Sequence, residues 1–451
     1  METRTLPVDA SKIGEIVARP NPDDILDELS IQLDVHSADA QYLRVAAEKL
    51  RSSHFPVAFP TETVYGLGAD ATRSDAVKGI YKAKQRPSDN PLIVHFASLR
   101  QLRSLYTAKL PAQDRLHENG TAKDPIPDIY KPLISRFWPG PLTIIMPTPK
   151  DSPLAPEVTA GLTTFGARMP RHVLALALID LAGVPVAAPS ANASTKPSPT
   201  AAEHVAYDLD GRIEIIIDGG PCDVGVESTV VDGLSSPPAI LRPGGISLEQ
   251  IRSCPGWEHT HIGYKNLAES ESQPRAPGMK YRHYSPKATV VLFESNKAAP
   301  AMTELSKALG PNGKIGIVRT KSWTLDQAQD PLITQSSKTV PVSNGAQKTL
   351  NDVHAAPGFA GMLTSVNATA KATSPLTKSG VQIGGIPVQV LDIDLGPATS
   401  NIARGIFSAL RDLDREGVDT IFVEGIDDSE GDTAAAIMNR LRKAAEVRLG
   451  G

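Results

Sequence analysis

Short apolar runs bounded by proline and glycine recur through the first 250 residues. They occupy 56–60, 91–95, 141–146, 184–188, 213–217, 228–231 and 239–241. Runs of this length and punctuation predict strands. Between them the apolar period lengthens to that of a helix. Leu43, Ala46, Ala47 and Leu50 share one face of a helix predicted over 40–52, which opens behind Ser37, a good N-cap. Residues 75–85 and 173–181 predict two more helices. Strands mixed with helices at uneven spacing predict an α/β or α+β domain.

From 251 to 286 the periodicity is lost, and the chain reads as a linker. It ends in the dense run APGMKYRHYSP, 276–286, which carries Lys280, Tyr281, Arg282, His283 and Tyr284. From 287 to 451 the pattern returns. A strand at 289–293, a helix at 298–309 and a strand at 314–318 have βαβ grammar, the start of a Rossmann-like domain. A helix over 402–416, a strand over 419–424 and a helix over 433–448 follow. Residues 326–385 are rich in Ser, Thr, Ala and Gly and read as a long loop or insertion. The expected organisation is 1–250, 251–286 and 287–451.

Composition narrows the function. The 451 residues carry 46 Lys plus Arg against 50 Asp plus Glu, a net charge of −4. That argues against a nucleic-acid coat over the whole chain, so no stable nucleic-acid partner is expected. Two cysteines, Cys222 and Cys254, can build neither a Cys-x-x-Cys metal site nor a disulfide framework. No run reaches the roughly 18 consecutive apolar residues of a membrane span. The N-terminus has neither the apolar core of a signal peptide nor the charge bias of a transit peptide. A cytoplasmic protein is expected.

Four runs carry candidate chemistry. The first, PTETVYGLGADA at 60–71, follows a strand, and its Gly66-x-Gly68 weakly imitates a dinucleotide loop. The expected acidic residue about 20 positions on is replaced by Lys82, Lys84 and Arg86. Cations there suit phosphate. The second, KQRPSDNP at 84–91, sets Lys84 and Arg86 on one side of a backbone that Pro87 and Pro91 hold extended. Two such cations can grip a triphosphate. The third, PSANASTKPS at 189–198, places small hydroxyls and amides after a strand, where a phosphate or ribose can approach. The fourth joins Ser228 to Arg242, which stands before a Pro-Gly turn. Each run alone reads equally as a tight turn, a solvated helix end, a capped Ser/Asn turn or a surface Arg. There is no P-loop, no Gly-x-Ser-x-Gly elbow and no His-Glu-x-x-His.

The order of these runs is similar to that of the YrdC-like family. The similarity takes in 60–71, Lys84-x-Arg86 with Asn90, FWPGPLT at 137–143, Pro189 to Asn192, Glu227 to Thr229 and Leu241 to Gly244. With the run 276–286 and the ending AAIMNRL at 435–441, the chain resembles the long two-domain threonylcarbamoyl-AMP synthases over most of its length. The resemblance implies a twisted open α/β sheet around a concave, positive cavity, followed by a smaller Rossmann-like domain. It implies a nucleotidyl transfer in which L-threonine, bicarbonate or CO2, and ATP give L-threonylcarbamoyladenylate and pyrophosphate. A separate threonylcarbamoyltransferase complex then modifies a tRNA adenosine. By resemblance, Thr63, His95, Arg168, Ala188 and Ser228 line the threonine site. Arg86, Asn90, Thr164, Ser190, Ser198 and Arg242 hold ATP. Lys84, Arg86, Ser190 and Asn192 form the catalytic set. Tyr281 or Tyr284 closes over the nucleotide.

The chemistry agrees with these roles. Arg168 can pair with a carboxylate. Cations with Mg²⁺ would stabilise charge growing on the phosphates. No general base is evident, which suits a reaction driven by proximity. Two rival readings stand beside this one. A hydrogenase-maturation carbamoyltransferase needs zinc-finger cysteines that two Cys cannot supply. A YrdC-like module could instead bind RNA without catalysis.

Overall fold

The computed structural model of the chain describes residues 1–20, 26–107, 124–263, 284–324, 375–383 and 385–450. They divide into two compact units. As far as these residues are described, the first unit holds Met1–Ser194, Pro199–Tyr281 and Ala356–Ala370. The second holds Thr195–Ser198, Arg282–Ala355 and Lys371–Gly451.

The first unit is built on an eleven-stranded mixed sheet. In spatial order its strands are Arg4–Pro7, Ile215–Asp218, Val57–Phe59, Gly66–Asp70, Val186–Ala187, Ile93–His95, Thr164–Arg168, Leu142–Pro147, Thr229–Asp232, Ala239–Arg242 and His261–Ile262. Most central strands are buried along their whole length. Burial on both faces is why they appear in the sequence as continuous apolar runs rather than alternating ones. The helix Ala38–Ser52 starts where the Ser37 side chain accepts from the Ala40 amide. Its buried face is Ala40, Leu43, Ala46, Ala47 and Leu50, and it packs on the helix Val173–Ala182. That second helix is buried from Val173 through Ile179, so it is a core helix with no polar face. Gly183, at φ +68, ends it in the left-handed conformation that lacks a Cβ penalty.

Several elements depart from the expectation. Arg4–Pro7 and the hairpin of Gly14–Pro20 with Leu26–Leu33 are strands the apolar pattern does not announce. The Gly66-x-Gly68 run is neither a nucleotide loop nor a turn. It forms the strand Gly66–Asp70, antiparallel to Val57–Phe59. A Cβ on Gly68 would lie 2.6 Å from the Phe59 ring and 2.8 Å from Val186, so glycine there admits the ring. The expected linker also starts later. Within 251–263, Trp257 is fully buried, donates from Nε1 to the Ile129 carbonyl at 2.7 Å and sits 5.9 Å from the Tyr130 ring. His261–Ile262 extends the sheet beside Ala239–Arg242. Residues 251–263 thus pack into the first unit, and 264–283 lie outside the described residues.

The second unit is a six-stranded sheet in the order Leu376–Ile383, Ile386–Asp394, Lys314–Arg319, Thr420–Glu424, Thr289–Phe293 and Val447–Leu449. All its pairs are parallel except the first, a hairpin turning at Gly385. Helices Met302–Lys307, Thr399–Arg415 and Asp432–Ala444 accompany it, giving the Rossmann-like character expected. Thr420–Glu424 lies between the two strands of the predicted βαβ, which are parallel but not adjacent. Two expectations are corrected. Residues 376–383 form a strand inside the stretch read as loop. The strand is an edge in which only Ile383 is buried, so its period-2 signal is weak. The last helix stops at Ala444, and Val447–Leu449 is an edge strand. Among the described residues no helix is long and apolar enough to cross a membrane.

Candidate active site

Three strands of the first sheet place His95, Arg168 and Thr143 in one register row, His95 opposite Arg168 and Arg168 opposite Thr143. In-register neighbours share a face of the sheet. All three are buried. Burial, and after it the positive charge of Arg168, lowers the His95 pKa to about 3. His95 is therefore a neutral imidazole, and its Nδ1 has no hydrogen-bond partner among the described residues. Ala188 lies two residues along from this row: its amide donates to the Ile93 carbonyl at 2.9 Å, and Val186 stands opposite His95.

The loop before Gly66 closes on the same place. Glu62 Oε1 accepts from Arg168 Nη2 at 2.7 Å, and Oε2 accepts from the Arg171 amide at 3.1 Å. Their side chains are 2% and 5% exposed, so this is a buried ion pair with a fixed orientation. Arg168 Nε also donates to the Gly140 carbonyl at 3.3 Å. Thr61 Oγ1 donates to the Val64 carbonyl at 2.7 Å and lies 2.9 Å from Thr63 Oγ1. Thr61 Oγ1 also accepts from the Thr63 and Val64 amides at 3.2 and 3.3 Å, and either hydroxyl of the Thr61–Thr63 pair can donate to the other.

Ser228 precedes the strand Thr229–Asp232 and is fully buried. Its Oγ lies 2.8 Å from Thr143 Oγ1 and accepts from Arg242 Nη2 at 3.0 Å. Arg242 Nε and Nη2 also donate to the Ser228 carbonyl. Gly244 permits this contact: a Cβ there would come within 2.3 Å of the Thr229 amide. Two residues read separately as threonine and ATP ligands are thus bonded to one another.

Lys84, Ser190 and Asn192 are also brought together, though not as expected. Lys84 does not run extended beside Arg86. It is the last residue of the helix Ser74–Lys84, and Gln85, in the left-handed conformation at φ 54, separates the two cations. The helical pattern carries through Lys84, and the constraint of Pro87 acts only on Arg86. Lys84 is 1% exposed. Its ammonium donates to the Ser190 carbonyl, to the Asn192 carbonyl at 2.6 Å and to Asn192 Oδ1 at 3.3 Å. Ser190 Oγ donates to Asn192 Oδ1 at 2.5 Å. The cation is a post around which the 190–192 turn is wound.

The remaining candidates make other contacts. Arg86 Nη2 donates to the Pro91 carbonyl at 3.3 Å. Asn90 is buried, with no partner for Oδ1 among the described residues. Thr164 opens the strand that Arg168 closes, about 13 Å away at strand spacing. Ser198 is buried within Thr195–Ser198, which groups with the second unit. Tyr281 lies outside the described residues. Tyr284 is buried in the second unit, its ring stacked on Phe407 at 5.2 Å. The sequence reading missed Glu62 and Thr143 as site residues. Both stand inside runs singled out there, 60–71 and 137–143.

The comparisons agree with this architecture. The Sua5/YciO/YrdC family model, described as "Telomere recombination", matches residues 50–244. The model described as "Threonylcarbamoyl-AMP synthase, C-terminal domain" matches residues 246–446. A threonylcarbamoyl-AMP synthase of Schizosaccharomyces pombe is 44% identical over 421 residues, 90% of this chain and 88% of its own. That of Pyrococcus abyssi is 39% identical over 410 residues, 90% of this chain and 95% of its own. The crystal structure of P. abyssi Sua5 complexed with L-threonine is similar at a TM-score of 0.64 and 36% identity, covering 90% of this chain and 96% of that one. The first unit is therefore that of a Sua5/YciO/YrdC-class protein. The chain as a whole belongs to the threonylcarbamoyl-AMP synthase family.

Proposed function

We propose that this chain condenses L-threonine, bicarbonate or CO2, and ATP into L-threonylcarbamoyladenylate. This is the first step of N6-threonylcarbamoyladenosine formation in tRNA. The neutral threonine amine attacks CO2, forms the C–N bond and releases a proton. A carbamate oxygen then attacks the α-phosphorus, and pyrophosphate leaves. The product passes to a tRNA threonylcarbamoyltransferase complex.

The observation that carries the reading is the donor and acceptor set along the His95–Arg168–Thr143 row. Thr63 offers a hydroxyl lone pair whichever of the two donates, as an amine requires. Arg168, held by Glu62, offers a planar cation, as a carboxylate requires. His95 stays neutral and adds no charge to repel the amine. Thr63, His95, Arg168, Ala188 and Ser228 form the threonine site. Arg86, Asn90, Thr164, Ser190, Ser198, Arg242 and Tyr281 serve ATP. Lys84 serves by holding the carbonyls of Ser190 and Asn192, and with them the Ser190 hydroxyl, in place. Among the described residues no group of three His, Cys, Asp or Glu could hold a metal ion. We infer that Mg²⁺ enters as part of the substrate, bound to the ATP phosphates. Cys222 and Cys254 are unpaired and buried, as suits a reducing cytoplasm.

The test is pyrophosphate release by the full chain with bicarbonate and MgATP. Release should require threonine, and valine should support almost none, since a site that bonds a hydroxyl rejects the analogue lacking it. No release with threonine, together with salt-steep RNA binding, would instead support the RNA-binding module.

A further inference from the structure

Thr143 extends the row of His95 and Arg168 by one strand, and no role has been given to it so far. Its hydroxyl and that of Ser228 are both fully buried and 2.8 Å apart. We propose that Thr143 is a positioning residue of the threonine site, acting through Ser228 to present one hydrogen-bond donor to an oxygen of L-threonine. This rests on the threonine reading of His95, Arg168 and Ser228 above.

The reasoning is a count of protons and lone pairs. Each hydroxyl has one proton and two lone pairs. Arg242 Nη2 fills one lone pair of Ser228. If Thr143 donates to Ser228, the second lone pair is filled and the Ser228 proton has no acceptor in the pair. If Ser228 donates, the Thr143 proton is left over. Either way the pair carries one surplus proton in a buried place. A buried donor without an acceptor is unfavourable. A bound acceptor oxygen relieves the deficit, and a donor such as an ammonium does not. The backbone turns the pair toward the site. A Cβ built on Gly166 would lie 3.1 Å from the Thr143 methyl, so the methyl packs over that neighbouring strand and the hydroxyl turns toward Ser228.

The experiment is a double-substitution cycle on the full chain, with threonine affinity read by calorimetry and pyrophosphate release read in parallel. Thr143→Val keeps the shape and should weaken threonine binding about threefold to tenfold, the range of one neutral hydrogen bond. The KM for ATP should not move, and Thr143→Ser should restore the wild-type value. In a Ser228→Ala background Thr143→Val should change threonine affinity by less than about twofold, because its partner is gone. Thr143→Ala takes the same cycle should the valine variant fail to fold. Equal losses in both backgrounds, a parallel rise in the ATP KM, or wild-type affinity in Thr143→Val would each overturn the proposal. A wild-type chain that neither binds threonine nor releases pyrophosphate would overturn the functional reading itself.

Discussion

Lys84→Met tests whether the buried lysine is a structural post or a direct phosphate ligand. Methionine keeps the length of the side chain and removes its three donors. The Ser190 and Asn192 carbonyls lose the ammonium, while Asn192 Oδ1 keeps the Ser190 hydroxyl. An unsatisfied buried acceptor costs about 1–3 kcal/mol, so two cost about 3 kcal/mol after partial relaxation. The loss should fall on the turn. The Ala191 amide, inside the wound segment, donates to the Tyr65 carbonyl, and the Ser194 amide, just beyond it, donates to the Lys84 carbonyl. Amide exchange of a peptide spanning 189–194 should therefore quicken roughly 100-fold, which is that energy expressed as an opening equilibrium. The urea midpoint of the first unit should fall as well. Pyrophosphate release should fall with them, because the Ser190 hydroxyl is no longer held. Lost activity with unchanged exchange and an unchanged midpoint would refute the post, and would mean that the ammonium works on the phosphates directly.

Two further predictions concern stability. His95 has its pKa held at about 3 by burial and then by Arg168, against 6.5 for a free imidazole. The unfolded chain binds the proton first on acidification, so stability is full above pH 6.5 and is lost as pH falls toward 3. Between pH 7 and 5 this amounts to about 2 kcal/mol, and His95→Gln should flatten that part of the urea-midpoint profile. An identical slope in the variant would show that His95 is not the buried neutral group. Trp257→Ala removes a fully buried indole and its 2.7 Å bond to Ile129. It should cost about 3–5 kcal/mol, read as a lower midpoint of the first unit. A loss below about 1 kcal/mol would mean that 251–263 is a tether after all.

The elements legible in the sequence were those with a strong apolar signal. The strand Thr289–Phe293 and the helices near Ala38–Ser52 and Val173–Ala182 stand close to where periodicity puts them. What stayed hidden shares a physical character. Arg4–Pro7 and Leu376–Ile383 each bury a single residue, and their pattern is diluted by polar residues. Gly66–Asp70 is hidden by its glycines, which are there for the Phe59 ring and which a local reading assigns to a loop. Candidate residues could be named from the sequence, but the hydrogen bonds among them could not. Nothing local in 60–71 says that Glu62 reaches Arg168, 106 residues on, because strand register decides it. The same holds for Thr143 and Ser228, 85 residues apart. Lys84 was recognised as important for its charge, and the fold uses that charge on carbonyls.

The strand Ile215–Asp218 lies between Arg4–Pro7 and Val57–Phe59, pairing in parallel with both. A chain growing from its N-terminus therefore makes two sheet edges long before the segment that joins them. Until residue 218 has left the ribosome, the backbone amides and carbonyls of both edges face solvent, open to strands of other molecules. The catalytic unit can close only once nearly half the chain exists. Its folding is set by an event midway through synthesis, and a truncated product ending before that strand should be an aggregation hazard rather than a partial enzyme.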